Sequence, residues 1–311
     1  MRGFRFSFDV FAIESMDAFV RTCRQAERYG YDVVFAADHL GIPAPFPLLV
    51  AAAGATERMR VGTLVLNASF WNPALLAREV ATTDILTGGR LEVGLGAGHM
   101  KWEFDAAGIE WEPLPARVAR LEQTITELDR FFTAGLEGAG ARRAVPKPVQ
   151  RRGFGGSGPP LIIGGTGDSV LRVAARHAGI IGVAGVYQVP GEPPGTFRLG
   201  TAAEAEERVA FARRHAGDRA AEIEWHLLVQ AVIVTADRRA AAEKLVAEHG
   251  RGMAVREALE TPFLLIGTEE EIAGQLTGHR ERYGFSFVTV HEPYMEAFGP
   301  VIERLRPDRA V

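Results

Sequence analysis

Histidine beside carboxylate is the pairing in this sequence best suited to chemistry. Asp38 and His39 are adjacent. An imidazole titrates near neutrality, and a neighbouring carboxylate can orient it or raise its pKa, which is what proton transfer at pH 7 requires. The plain alternative is a loop pair facing water, with Asp38 capping a turn. His99, after Gly96-Ala97-Gly98, is a second candidate with the same ambiguity. A different chemistry is offered by Gly164-Gly165-Thr166-Gly167, between an apolar run and an amphipathic one. Glycines there let backbone N–H groups approach an anion, and a helix N-terminus adds partial positive charge, so a phosphate seat is one reading. A tight turn needing positive φ is the other. Phe70, Trp71 and Trp102 read either as pocket walls or as packing under a lid. His226 lies inside an apolar run and reads as a hydrogen-bonded core histidine. His177, His215, His249 and His279 fall on helices or at their ends and read as surface residues.

Short apolar runs alternating with amphipathic stretches must position these residues, and that alternation signals repeated βα units around a parallel sheet. Strands are expected over 3–8, 31–36, 60–66, 90–95, 161–163, 179–184, 223–234 and 285–290. Helices are expected over 15–29, 73–86, 118–132, 168–178, 202–215, 238–248 and from Thr268 to Tyr283. Gly30 supplies a C-terminal cap, Asn72-Pro73 an N-cap and first-turn proline, and Thr268 with Glu271 a capping box. Residues 133–160 hold few periodic apolar residues and several prolines and glycines, so they read as an excursion loop, and 188–200 as another. Eight alternating units without a glycine-rich fingerprint after the first strand favour a closed (β/α)8 barrel, an α/β fold, over an open doubly wound sheet. The whole chain, 1–311, is then expected to be a single barrel domain with insertion loops on the catalytic face. Chemistry in such a barrel sits where strands end. Asp38-His39, Asn67 with Phe70-Trp71, His99, Gly164–Asp168, Ala184-Gly185 and His291-Glu292 all fall at those ends.

Composition narrows the function classes. The 311 residues are 47% hydrophobic and 24% charged, an ordinary globular balance. No window approaches the ~18 uninterrupted apolar residues a membrane helix needs, and the N-terminus shows no secretion signal, so neither membrane nor export is expected. A net charge of −4 leaves no dominant basic footprint for nucleic acid. Cys23 is the single cysteine and can form no internal disulfide, which fits the cytoplasm.

The stretch Val65–Gly98 (VLNASFWNPALLAREVATTDILTGGRLEVGLGAG) resembles the bacterial-luciferase-like superfamily, and more narrowly the coenzyme F420-dependent oxidoreductases of actinobacteria. Gly30–Leu40, Val145–Gln150, Pro159–Gly165 and Ile266–Ile272 agree with it. Arginine far outnumbers lysine, present only at 101, 147 and 244, as in a GC-rich bacterial genome. The resemblance implies a (β/α)8 barrel holding a deazaflavin or flavin in its mouth, with redox chemistry belonging to the cofactor. It implies that Asp38 contacts the ring or its ribityl-type chain, that His39 stands by the reacting face as proton donor or transition-state stabiliser, and that Gly164, Gly165 and Thr166 hold the phosphate beside Ala184-Gly185. His99 stands where some relatives carry glutamate. A non-proline cis peptide is implied within Leu64–Asn67, at Leu64–Val65, supporting the ring, and a homodimer is implied as well.

The function expected is therefore hydride transfer, with F420, to or from a small organic substrate bearing a C=C, C=N or C=O bond or an alcohol. FMN-dependent oxygenation with O₂ is the alternative. A metal-dependent barrel built from His39, His99, His226 and His291 is a third reading, and a non-catalytic cofactor-binding barrel a fourth.

Overall fold

The computed structural model describes residues 2–134, 146–249 and 252–306. In chain order the elements are β1 (Arg5–Val10), α1 (Met16–Tyr29), β2 (Val33–Ala36), α2 (Pro45–Ala55), β3 (Arg60–Thr63), β4 (Leu66–Asn67), α3 (Pro73–Leu86), β5 (Leu91–Gly96), α4 (Lys101–Ala107) and α5 (Leu114–Ala134). There follow β6 (Leu161–Gly164), α6 (Asp168–His177), β7 (Ile180–Val183), β8 (Val186–Gln188), β9 (Phe197–Leu199), α7 (Ala202–Ala216), β10 (Glu224–Val229) and β11 (Ala231–Val234). The chain closes with α8 (Arg238–His249), α9 (Val255–Glu260), β12 (Leu264–Gly267), α10 (Glu269–Tyr283), β13 (Phe285–His291) and α11 (Met295–Leu305).

The parallel staves run β1, β2, β3 with β4, β5, β6, β7, β10 and β13, and β13 pairs back with β1 to close the barrel. The expected (β/α)8 architecture is therefore the observed one. Local signals place the helices around it. Ser15 Oγ accepts from Ala18 N at 3.1 Å to start α1, and Gly30 at φ 89° ends it. Asn72 Oδ1 accepts from Ala74 N at 3.0 Å ahead of Pro73, and Thr268 and Glu271 cap each other at the start of α10.

The structure departs from the sequence reading in four places. The run 223–234 is two strands, because the chain leaves the barrel at Gln230 and β11 pairs with β12 in a separate two-stranded sheet. The segment 188–200 is not all loop: β8 and β9 form an antiparallel hairpin, Val186 opposite Leu199. Helices α2, α4, α9 and α11 were not anticipated. His279 is not a free surface histidine, since its Nδ1 is buried without a partner, and burial lowers its pKa to about 4. Of the loop expected at 133–160, residues 135–145 lie outside the described residues, and 133–134 belong to α5. His249 carries no described side chain.

Alternation along each strand separates outside from inside. Phe6, Phe8, Val34, Val93, Leu95, Ile163, Val183 and Leu227 join the large core under the helices, whereas Val33, Phe35, Ile162, Ile180 and Phe287 form a separate inner cluster with Leu64. The floor of the barrel is ionic. Arg5 Nη1 donates to Glu224 Oε2 at 2.7 Å and its Nη2 to Glu92, which also accepts from Arg60 Nε at 2.6 Å. Above it, His226 Nε2 lies 2.6 Å from Thr289 Oγ1, which meets Ser7 Oγ at 2.5 Å. His226 is thus the hydrogen-bonded core histidine its position in an apolar run suggested, and burial lowers its pKa to about 3.

Candidate active site

Small residues open the upper half of the barrel on one side. Continuing the inward positions upward gives Gly94 and Gly96 on β5, Gly164 on β6, and Gly182 with Ala184 on and after β7. This wall carries almost no side chains, and Val65 lies against it. The Leu64–Val65 peptide is cis, in the stretch where the resemblance put such a bond. A Cβ on Gly94 would lie 2.1 Å from Thr63 O and 3.0 Å from Val65 Cγ1, and one on Gly96 would lie 2.7 Å from Val65 Cγ2. Glycine is required there so that β3 can bend inward and seat Val65. At Gly164 a built Cβ would meet Gly182 O at 3.8 Å and Val65 Cγ1 at 3.9 Å, ordinary contact with no clash.

His39 follows β2. Its Nδ1 lies 2.8 Å from Oε1 of Glu103, and the same oxygen accepts from Leu40 N at 3.2 Å. Glu103 is 2% exposed, in the first turn of α4. The sequence reading missed it. A single carboxylate on a seven-residue helix leaves no periodic trace, and its only signal is its place four residues after His99. His99 faces His39 with ring centroids 5.4 Å apart at 82°, and Phe197 of the β8–β9 hairpin lies 5.3 Å from it on another side. Desolvation, and then the charges of His39 and Arg117, push His99 toward its neutral form. His99 is exposed as a residue, and water limits that desolvation.

Asp38 points to other partners. Its Oδ2 accepts from Trp71 Nε1 at 2.8 Å and Asn67 N at 3.2 Å. Burial raises its pKa against these two hydrogen bonds. It therefore ties β2 to the end of β4. Asn67 Oδ1 accepts from Ser69 N at 3.1 Å, and its side chain fills the space over Gly98, whose φ is 74°. Trp71 packs edge-on against Phe46 at 5.5 Å, and Phe70 against Phe104 at 5.1 Å, while Trp102 is 53% exposed on α4.

The α6 N-terminus carries the remaining candidates. Gly167 is its N-cap, with φ −78° and no side-chain hydrogen bond, and a Cβ built on it meets nothing within 4 Å. Gly165 N donates to Gly182 O at 3.0 Å, and a Cβ there would lie 2.9 Å from Val170 Cγ1. Thr166 Oγ1 donates to Val186 O at 3.2 Å, and Arg208 Nη1 reaches Thr166 O at the same distance while also pairing with Asp168. Gly185 has its own reason to be glycine: φ is 74° and a Cβ would lie 2.3 Å from Phe263 Cδ1. Ala184 O accepts from Gln230 Nε2 at 3.4 Å. A cavity of about 280 Å³ lies behind that contact, lined by Gln230, Leu245, Met253 and Leu264 among others, away from His39.

Among the described residues no group of three or more His, Cys, Asp and Glu side chains is placed to hold a metal ion. His39, His226 and His291 are each bonded to a single protein partner instead. No described helix is long and apolar enough to cross a membrane.

Known proteins resemble this chain at three levels. The family model described as luciferase-like monooxygenase matches residues 4–286. An F420-dependent glucose-6-phosphate dehydrogenase of Microbacterium testaceum is 31% identical over 169 residues, 49% of this chain and 48% of that one. The oxygenase component of a flavin-dependent trigonelline monooxygenase of Acinetobacter baylyi is 33% identical over 94 residues, 29% of this chain and 26% of its own length. The chain thus spans about half, or less, of these curated relatives. A solved F420-dependent secondary alcohol dehydrogenase, in complex with an F420-acetone adduct, superposes with a TM-score of 0.73 over all of both chains at 17% identity. At that identity the likeness is one of fold.

Proposed function

The chain belongs to the luciferase-like monooxygenase family, and from that premise we propose that it is an oxidoreductase that transfers hydride, with coenzyme F420, to or from a small organic substrate. The single observation that carries the reading is the His39–Glu103 pair at the mouth, 2.8 Å apart, with the buried carboxylate fixing the ring. An imidazole held through Nδ1 presents Nε2 to a reacting molecule and can exchange one proton there. His39 is the proton donor or acceptor, and His99 its edge-on neighbour.

The residues present fit a deazaflavin or flavin. Gly167 faces open space, the α6 N-terminus is uncapped by any side chain, and Val65 backs the glycine wall. Backbone N–H groups of Thr166 and Gly167 would hold the phosphate, with Gly165 drawn close to β7 and Arg208 ordering the loop through Thr166 O. Leu64 and Val65 would back the ring. Asp38 sets the end of β4 through Asn67, and Ala184-Gly185 carries the chain past the phosphate. When bound, the cofactor supplies hydride acceptance and donation. Phe70, Trp71 and Trp102 are proposed to bound the substrate side.

FMN-dependent oxygenation with O₂ is the second reading, favoured by the match to the trigonelline monooxygenase. Both cofactors bear a phosphate, so the α6 loop does not separate them. We read the protein as a single-domain cytoplasmic homodimer, by family resemblance and from its lone, buried Cys23. Fluorescence titration of the purified protein with F420 and with FMN tests the proposal. Micromolar binding of F420 with FMN far weaker supports it, the reverse preference moves the protein to the flavin enzymes, and binding of neither overturns both.

A further inference from the structure

The wall of the mouth formed by β13 and β1 carries a second imidazole held by a buried carboxylate, which the hydride-transfer reading does not use. His291 ends β13, and its register partner on β1 is Asp9. Asp9 is 3% exposed, and both of its carboxylate oxygens lie 3.0 Å from His291 Nδ1. That contact keeps a proton on Nδ1 and leaves Nε2 as the ring's working atom. Among the described residues Nε2 has no hydrogen-bond partner, yet it is not a buried orphan. The strand alternation fixes where the ring lies. Phe287 belongs to the inner cluster and Thr289 bonds to His226 and Ser7 inside the barrel, so His291 is the next inward position, one layer higher. Going round the staves, the β13–β1 seam lies half a turn from β5 and β6, and so faces Gly94, Gly96 and Gly164 across the mouth. Phe11 covers one side of the imidazole, with ring centroids 5.2 Å apart.

A purely structural role would be to tie the seam. Four register pairs and the Ser7–Thr289 contact already join β1 to β13 below this point. A carboxylate–imidazole contact withdrawn from water adds little stability of its own, because desolvation offsets its attraction. A carboxylate that fixes the tautomer of an imidazole with an open nitrogen is the arrangement used to hold a histidine ready for a ligand.

We propose that His291 is a ligand-contacting imidazole of this active site, with Asp9 as its positioning residue and Nε2 turned into the mouth to accept a hydrogen bond from a hydroxyl group of the bound molecule. The assignment rests on the hydride-transfer reading only for the identity of that molecule, since the oxygen could belong to the cofactor or to the substrate.

Site-resolved labelling with diethyl pyrocarbonate, read by peptide mass spectrometry, tests it. The apo-protein, the F420-saturated protein, and the F420-saturated protein with propan-2-ol or with glucose 6-phosphate are compared. His291 is expected to label in the apo-protein and to be protected roughly tenfold at ligand concentrations about ten times Kd. Protection by F420 alone assigns the oxygen to the cofactor, and protection only after the second compound assigns it to the substrate. Failure to label in the apo-protein, or equal labelling in every arm, overturns the proposal. If F420 does not bind but FMN does, the arms are run with FMN, so a wrong cofactor and a wrong histidine give different results. If neither cofactor binds or protects, the assignment falls with the function. The role of Asp9 is read separately, from the imidazole nitrogen shifts of labelled histidine. Wild type should show His291 protonated at Nδ1, Asp9→Ala should give a tautomer mixture, and Asp9→Asn, whose amide oxygen still accepts, should restore the wild-type pattern. An unchanged tautomer in Asp9→Ala overturns the positioning role.

Discussion

Glu103 reaches from the first turn of α4 to His39, in the loop that follows β2 on the far side of β3 and β4, and one carboxylate oxygen takes both the His39 ring nitrogen and Leu40 N. The contact spans 64 residues of sequence. It makes the imidazole and the helix that follows β5 parts of one device: whatever moves α4 moves the ring.

Glu103→Gln should separate chemistry from binding. The amide oxygen can still accept from Leu40 N and from a protonated Nδ1, so folding and F420 affinity should stay close to wild type. The carboxylate contact that holds the His39 ring becomes a neutral amide contact, and turnover should fall roughly 100-fold, the scale of one general acid–base contribution. Steady-state kinetics beside a fluorescence titration of F420 would show it. A matching loss of cofactor affinity would mean that Glu103 shapes the whole site rather than serving His39.

Gly96→Ala tests the seat of Val65. The added Cβ would lie 2.7 Å from Val65 Cγ2, and overpacking of that kind costs about 1–3 kcal/mol. Thermal unfolding should drop by several degrees, at roughly 2–4 °C per kcal/mol for a large domain. Val65→Ala in the same chain should return most of the loss, because the two residues are in contact and their effects do not add. A double variant no better than the single one would place the strain elsewhere.

Much of this arrangement is legible in the sequence alone, and the parts that are not share a physical cause. The staves announce themselves because buried parallel strands are continuous apolar runs, as in Val33–Ala36 and Leu161–Gly164. Helices α1 and α6 show one apolar face, whereas α2, Pro45–Ala55, is apolar nearly all round and carries no period to read. The run through Gln230 reads as one strand because both halves are apolar, and only pairing with β12 reveals the break. At the site, Asp38-His39 was visible as neighbours in sequence. Glu103 and Asp9 were not, because each acquires its meaning from a partner 64 or 282 residues away.

Cys23 should be chemically silent in the folded protein. It is fully buried on α1, and burial, with smaller effects of Glu292 and Glu27, pushes its thiol pKa up to about 12. The thiolate is the reactive form. A disulfide reagent at mildly alkaline pH should therefore find no thiol in the native state and one per chain in denaturant. Fast native labelling would contradict the packing of α1.

Gly167→Ala probes the proposed phosphate seat with little penalty to the fold. The backbone there has φ −78°, which any residue adopts, and a Cβ meets nothing within 4 Å. Alanine is a poorer N-cap than glycine, so up to about 1 kcal/mol of stability should go. The methyl group would occupy the space in front of the uncapped α6 N–H groups. F420 and FMN should each bind on the order of tenfold more weakly, about 1.4 kcal/mol. Unchanged affinity for both, in a variant that folds, would remove the α6 N-terminus from the cofactor site.

Acid stability should depend on His226. The unfolded chain protonates this histidine near its ordinary value of 6.5, but the folded chain does so only at about 3, because burial and then Arg5 disfavour the charge. Between those values the unfolded state binds the extra proton. The contribution is therefore fully present above 6.5 and is lost as pH falls toward 3, at up to about 1.4 kcal/mol per pH unit. His279 acts in the same direction. Asp38 and Glu292 act oppositely, since burial raises their pKa values and the folded state takes up their protons first. The total slope mixes these signs, so the informative quantity is the difference between wild type and His226→Gln, whose amide can still bond Thr289. Urea unfolding at several pH values between 6 and 4 should show the variant losing less stability per pH unit, by about the one-proton slope. Parallel curves would mean that His226 is already charged in the folded barrel, and that its contact with Thr289 is not the neutral hydrogen bond described above.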